Sequence, residues 1–206
     1  TPLYSSAASD VYKRQGMQPQ QPHVLWSMSK SLVGLLVTEL IQEGAIDPSA
    51  RIVRYLPELA NSAWADATVQ QTLDMTTGVK YAEDFADPTS GVFQYLAAAG
   101  LQPARPGSNG AKSMAEHLPT VQKDGEHGTA FAYKSVDTEV LGWLLQRVTG
   151  KSYATLLSER IWSKLGTQED AYVFADANGG QATSVGVNAT LRDLGRLGEM
   201  LRSNGR

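Results

Sequence analysis

The chain has 206 residues, no cysteine and a formal net charge of −3. This length is enough for one sizeable core, and the lack of cysteine excludes disulfides, thiol nucleophiles, Cys-ligated zinc and iron–sulfur clusters. The weak negative charge offers no basic face to nucleic acid or to an anionic membrane, and no apolar run approaches the roughly 20 residues of a membrane span. These features predict a globular protein that acts on a small molecule or on another protein.

The first fifteen residues are interpreted as foreign sequence. Their SSAASDVYKRQ stretch resembles the translation of a transposase adaptor used in sequencing libraries, so residues 1–15 are predicted not to belong to the fold. Residues 16–206 are treated as one partial domain. On this interpretation the native start and any signal peptide are missing, and the chain stops straight after a helical pattern.

The N-terminal half of the remaining chain predicts three helices, the last of them an island within loops over residues 79–129. Residues 27–43 are apolar on almost every face, which predicts a central, buried helix that Gly44 ends in a left-handed conformation. Thr68 and Gln71 have the spacing of a capping box, which predicts a short helix over 68–75. One further helix is predicted over 92–99.

The C-terminal half predicts three more helices. Asp137 is a candidate N-cap for a helix over 138–149, Ser152 for the next, and Thr190 with Asp193 resembles a capping box for the last. Few strands are apparent, so the sequence predicts a mostly helical fragment. The histidines lack metal-ligand spacing and are predicted to lie on the surface: His23, His117 and His127.

Ser27 and Lys30 form a Ser-x-x-Lys motif at the start of the central helix. Serine needs a base to act as a nucleophile, and a lysine serves as one only when burial or nearby positive charge lowers its pKa from about 10.4. A helix N-terminus favours both that shift and the stabilisation of an oxyanion. The motif alone is weak, because chance supplies about one Ser-x-x-Lys in a chain of this length. The alternative role is an N-cap serine followed by a snorkelling lysine.

A second polar set, Tyr133-Lys134-Ser135, lies between a Gly-rich loop and a helix. A tyrosine there is able to carry a proton between Lys30 and a leaving group. The alternative is an aromatic core residue with a satisfied hydroxyl.

Four motifs occur in order along the chain: Trp26–Ser31, Leu73–Gly78, Tyr133–Ser135 with Leu141-Gly142, and Asn188–Leu194. With them the sequence resembles the serine β-lactamase and penicillin-binding-protein superfamily, in its class C-like branch of esterases and amidases near the 6-aminohexanoate-dimer hydrolases. The resemblance implies an α+β, β-lactamase/transpeptidase-like fold. Residues 16–206 would hold mostly its helical domain, with the flanking antiparallel sheet largely missing.

The resemblance also implies a serine hydrolase that forms an acyl-enzyme on an ester, amide or lactam bond of a small molecule. Ser27 is then the nucleophile, Lys30 and Tyr133 move the proton, and Ser135 binds substrate or joins the relay. Ser135 stands where many class C enzymes have Asn, which favours the esterase and amidase relatives. No metal or organic cofactor and no nucleic acid is implied.

The resemblance leaves two points open. The Lys-Thr-Gly or His-x-Gly strand of the superfamily is expected beyond Arg206, so we expect this fragment to be inactive alone, in a bacterial cytoplasm or periplasm that the sequence does not distinguish. The alternative function is a penicillin-recognising sensor or binding module that is acylated or occupied without turnover.

Overall fold

The computed structural model describes residue 18 and residues 20–205. The segment interpreted as adaptor sequence, residues 1–15, lies outside them. Within the described residues the α-helices are α1 (Ser29–Gln42), α2 (Val69–Leu73), α3 (Gly91–Ala98), α4 (Met114–His117), α5 (Ser135–Thr149), α6 (Tyr153–Arg160) and α7 (Leu191–Arg202). None of these described helices has both the length and the apolar character needed to cross a bilayer. Short 3₁₀ turns occupy Trp26–Met28, Ile52–Arg54, Pro57–Leu59, Leu118–Thr120 and Trp162–Lys164.

Helix α1 is the central element, as its sequence predicts. It packs against α5 and α6 and buries five apolar side chains: Leu32, Val33, Leu36, Val37 and Leu40. Gly44 follows the helix with a φ of +75°, the left-handed conformation that a glycine adopts without steric cost. Both predictions for this helix are confirmed, apart from its first residues, which form a separate turn described below.

A small antiparallel sheet lies beside the start of α1. It consists of β1 (His23–Val24), β2 (Tyr172–Val173) and β3 (Val187–Ala189), with β3 in the middle. His23 lies opposite Ala189 and Tyr172 lies opposite Asn188. The predicted fold class is confirmed: an α+β arrangement that is mostly helical, with a small sheet.

Two of the predicted N-caps form as expected. The Thr68 hydroxyl accepts the Gln71 N–H while the Gln71 side chain accepts the Thr68 N–H, which completes the capping box at α2. The Ser152 hydroxyl accepts the Thr155 N–H at the start of α6. These local side-chain bonds satisfy N–H groups that the first helical turn leaves without partners.

The cap predicted at Thr190 forms only in part. The Thr190 hydroxyl accepts the Asp193 N–H, but the Asp193 carboxylate binds the N–H groups of Gln168 and Glu169 instead of returning to the Thr190 backbone. Asp193 therefore joins the start of α7 to the preceding loop.

The prediction that Asp137 caps a helix starting at residue 138 is wrong. Helix α5 begins at Ser135, so Asp137 lies inside its first turn. Its carboxylate is buried and accepts hydrogen bonds from Trp64 Nε1 and the Thr77 hydroxyl. Tertiary partners thus replace the local backbone N–H groups that an N-cap would bind.

Candidate active site

Ser27 and Lys30 are in direct contact. Ser27 lies in the 3₁₀ turn Trp26–Met28, two residues before the first residue of α1, and Lys30 is the second residue of α1. Lys30 Nζ donates a hydrogen bond to Ser27 Oγ over 3.1 Å. The serine is therefore presented on a tight turn ahead of the α-helix, a correction to the prediction of one continuous helix, and the motif still brings its two side chains together.

Trp26 gives this turn an unusual backbone. Its φ is +48°, a left-handed conformation that costs a residue with a Cβ roughly 1–2 kcal/mol. Trp26 is 52% exposed, and the neighbouring Met28 is equally exposed. The candidate nucleophile thus lies between two solvent-facing apolar side chains on a strained turn.

Lys30 has two further neighbours. Its Nζ also donates to the Ser184 carbonyl oxygen over 3.3 Å, and it lies 5.0 Å from the centroid of the Tyr133 ring. Tyr133 is 43% exposed, and within the described residues its hydroxyl makes no hydrogen bond to Ser27 or Lys30. The structure therefore brings Ser27, Lys30 and Tyr133 together, with the face of the phenol ring, not its oxygen, on the amine.

Ser135, the fourth predicted site residue, is the first residue of α5. It is buried, and its N–H donates to Glu83 Oε1 over 2.7 Å. The Tyr81 hydroxyl lies beside these groups, and burial together with the Glu83 charge raises the pKa of Tyr81 far above its usual value. Within the described residues, Ser135 makes no hydrogen bond to Ser27, Lys30 or Tyr133.

A buried network supports the segment that carries Tyr133. Lys134 Nζ donates to the Thr77 carbonyl over 2.8 Å, and the Thr77 hydroxyl donates to Asp137 over 2.7 Å. Burial raises the pKa of Asp137 to about 7, against the opposing effects of its Thr77 and Trp64 hydrogen bonds and the Lys134 charge. The Thr77-Gly78 segment is thereby fixed to the start of α5.

Two residues that hold Lys30 in place, Ser184 and Glu139, were not predicted from the sequence. Ser184 supplies the second acceptor for the lysine, and Glu139 binds the segment that contains Ser184. One signal was available for Glu139, an acidic residue among the apolar positions of α5, where a charge is rarely buried without partners. No spacing or motif points to Ser184, because a backbone carbonyl carries its function.

The prediction that the histidines lie on the surface is wrong for two of them. His117 is buried, and this burial lowers its pKa to about 4. The His127 side chain is 4% exposed and lies between the Gly78 N–H and the Asp66 carboxylate. The residues that the structure describes contain no cluster of three or more His, Asp or Glu able to hold a metal ion.

A sequence profile of the β-lactamase family matches residues 2–206, nearly the whole chain. The chain belongs to the β-lactamase family. A 6-aminohexanoate-dimer hydrolase of Paenarthrobacter ureafaciens is 41% identical to it over 203 residues, which are 98% of this chain and 51% of the relative. The resemblance inferred from the motifs is thereby confirmed.

Solved structures show the same relationship. A candidate 6-aminohexanoate-dimer hydrolase of Bacillus anthracis superposes with a TM-score of 0.85 at 33% identity, over 93% of this chain and 50% of that one. A family VIII carboxylesterase superposes with a TM-score of 0.62 at 21% identity, over 88% and 55%, and shows the shared fold. This β-lactamase-family chain spans about half the length of the relatives it matches.

Proposed function

We propose that this chain carries the nucleophile and the base of a serine hydrolase that cleaves amide or ester bonds through an acyl-enzyme. The observation that carries the proposal is the 3.1 Å contact between Lys30 Nζ and Ser27 Oγ. The names of the relatives support the bond type. One is a 6-aminohexanoate-dimer hydrolase, and a linear dimer of an amino acid is joined by an amide bond; another is a carboxylesterase.

In the acylation step, Ser27 Oγ attacks the substrate carbonyl carbon while Lys30 Nζ takes the hydroxyl proton. The oxyanion that forms is stabilised by the Ser27 N–H, at the start of a turn where backbone N–H groups lack intrahelical partners. The carbon–nitrogen or carbon–oxygen bond then breaks, and the leaving group receives the proton through Tyr133. For that transfer the Tyr133 side chain turns its hydroxyl toward Lys30.

In the deacylation step, water attacks the acyl carbon of the ester on Ser27 and gives a proton to the same groups. The bond from that carbon to Ser27 Oγ then breaks, the acid product leaves, and the proton returns to Ser27 Oγ. Ser135 takes part as a substrate-binding or relay group if the bound substrate reaches the start of α5. The exposed side chains of Trp26 and Met28 favour contact with an apolar part of the substrate beside the reacting carbonyl.

The test is a comparison of Ser27→Ala with Ser31→Ala in the protein at its full natural length. Ser31 is an exposed hydroxyl in α1, four residues after Ser27 and next to Lys30, so it is a matched control. With p-nitrophenyl butyrate and a linear amide as substrates, we expect Ser27→Ala to lose about a thousandfold or more in kcat/KM, because nucleophile removal leaves only residual catalysis. Ser31→Ala is expected to keep wild-type activity.

Two results would contradict the proposal. Unchanged turnover in Ser27→Ala would remove this serine from the mechanism. A covalent adduct on the Ser27 peptide that persists in mass spectra without product release would indicate the acylated sensor instead of a hydrolase.

A further inference from the structure

Glu139 is buried at 3% exposure and accepts four hydrogen bonds. Its Oε1 accepts from the Tyr95 hydroxyl at 3.1 Å and the Ser184 N–H at 2.9 Å. Its Oε2 accepts from the Thr183 N–H at 3.0 Å and the Thr183 hydroxyl at 2.8 Å. Both oxygens of one carboxylate are therefore committed to a single two-residue segment and the tyrosine beside it.

This segment is the one that faces Lys30. With its N–H bound to Glu139, Ser184 directs its carbonyl oxygen to Lys30 Nζ at 3.3 Å. The Ser184 hydroxyl lies 2.7 Å from the Tyr95 hydroxyl, which in turn binds Glu139. Every polar group of the Ser184 residue is thus held, so its carbonyl has little freedom to turn away from the lysine.

The backbone of α5 is shaped to admit this contact. Gly142 lies under Thr183, and a Cβ at that glycine would come within 2.2 Å of the Thr183 hydroxyl. Only a glycine lets helix and loop approach this closely, so α5 and the 183–184 segment form one tightly packed unit.

We propose that Glu139 is a positioning residue for Lys30: by fixing the 183–184 segment, it holds the Ser184 carbonyl that orients the amine toward Ser27. The inference rests on the proposed hydrolase function and adds a group that does not itself touch substrate. Lys30 has a flexible stem with several rotatable bonds, and Ser27 Oγ alone leaves the amine free to swing about one contact. The Ser184 carbonyl is a second, fixed acceptor and so restricts the position of the amine.

The test compares two buried tyrosines that differ in what their hydroxyls bind. Tyr95 and Tyr153 are 1% and 0% exposed, but the Tyr153 hydroxyl has no hydrogen-bond partner among the described residues. Tyr95→Phe removes a link of the proposed network, and Tyr153→Phe removes a buried hydroxyl without one. Thr183→Val and Glu139→Gln complete the series in the protein at its full natural length.

The readouts are kcat and KM for p-nitrophenyl butyrate and the rate at which a fluorophosphonate probe labels Ser27. We expect Tyr95→Phe and Thr183→Val to lower kcat and the labelling rate about tenfold, and Glu139→Gln about a hundredfold, with KM nearly constant, because misplacing a catalytic group affects the chemical step. Tyr153→Phe should match the wild type in both rates, whatever its melting temperature.

The inference is wrong if folded Tyr95→Phe and Thr183→Val retain wild-type kcat and labelling, and these two variants decide the matter if Glu139→Gln does not fold. A wild-type protein that is neither active nor labelled at Ser27 would overturn the proposed function, and this inference with it. Wild-type labelling with unaffected variants would overturn the inference alone.

Discussion

Two buried carboxylates, Asp137 and Glu139, lie two residues apart in the first turns of α5 and serve opposite flanks of the candidate site. Asp137 accepts from two side chains, Trp64 Nε1 and the Thr77 hydroxyl. Glu139 accepts from two backbone N–H groups and two hydroxyls. Residues at this spacing do not face each other on a helix, so one carboxylate fixes the loop at 77–78 and the other the loop at 183–184.

The kind of donor decides how much each network depends on a negative charge. A hydroxyl can donate or accept, so the bond between Thr77 and Asp137 survives protonation or amide replacement by a rotation of the O–H. A backbone N–H only donates, so both oxygens of Glu139 must remain acceptors. The hydrogen bonds of Asp137 therefore tolerate the loss of its negative charge, and those of Glu139 do not.

The largest effect we predict is a pH dependence that belongs to Asp137. Its pKa rises from 3.8 to about 7 on folding, so the folded state binds the proton more tightly. The stabilisation is complete below pH 3.8, decreases as pH rises, and is lost above pH 7. We expect a loss on the order of 3 kcal/mol in the free energy of unfolding between pH 4 and pH 8.

Asp137→Asn isolates that contribution, because an amide does not titrate. The wild type and this variant are compared by urea unfolding at several pH values, and their difference in unfolding free energy should change with pH as described. A difference that stays flat from pH 4 to pH 8 would mean that Asp137 keeps its charge in the folded protein.

The second prediction compares the stability of two isosteric amide variants, Glu139→Gln and Asp137→Asn, at neutral pH. Glu139→Gln places an NH₂ group against the N–H of either Thr183 or Ser184, so we expect a loss of about 2–3 kcal/mol. Asp137→Asn should cost less than about 1 kcal/mol, since the Thr77 hydroxyl is able to accept from the new amide. Urea unfolding measures both, and equal losses would refute the distinction between the two flanks.

The smallest predicted effect concerns the close packing beside Glu139. Gly142→Ala drives a methyl group into Thr183, and we expect a loss of about 1–2 kcal/mol from overpacking. Gly198→Ala is the control, an exposed glycine of α7 whose added methyl would meet no atom within 4 Å. That change should stabilise the protein by about 0.5 kcal/mol through helix propensity. Thermal melts that rank the two variants in the reverse order would contradict the packing argument.

Local patterns in the sequence predicted much of this structure. The central helix, the Gly44 stop and the caps at Thr68 and Ser152 depend on residues close in the chain, and all four were confirmed. The contact between Ser27 and Lys30 is local for the same reason, because residues three apart meet on one helical turn.

The parts that sequence reasoning missed depend on distant partners. The local sequence predicts that Asp137 is an N-cap. In the structure its carboxylate accepts instead from Trp64, which lies seventy-three positions away in the chain. The local sequence likewise predicts that His117 is a surface residue in a loop. In the structure it lies in α4, which packs into the core and buries it. The hydrogen bonds that hold the 183–184 segment beside Lys30 join Glu139 to residues 44 and 45 positions farther along the chain. Their donors are backbone N–H groups, which do not depend on residue type, so no sequence pattern indicates them.

The exposed indole of Trp26 is a fluorescent reporter beside the candidate site. The chain has four tryptophans, of which Trp64 and Trp162 are buried and Trp143 is half-buried. Trp26 alone among them is mostly open to water, so iodide should quench its emission first. Because Trp26 directly precedes Ser27, an acyl group on that hydroxyl would shield this fluorophore, and occupancy of the serine becomes a signal that a spectrometer can follow in real time.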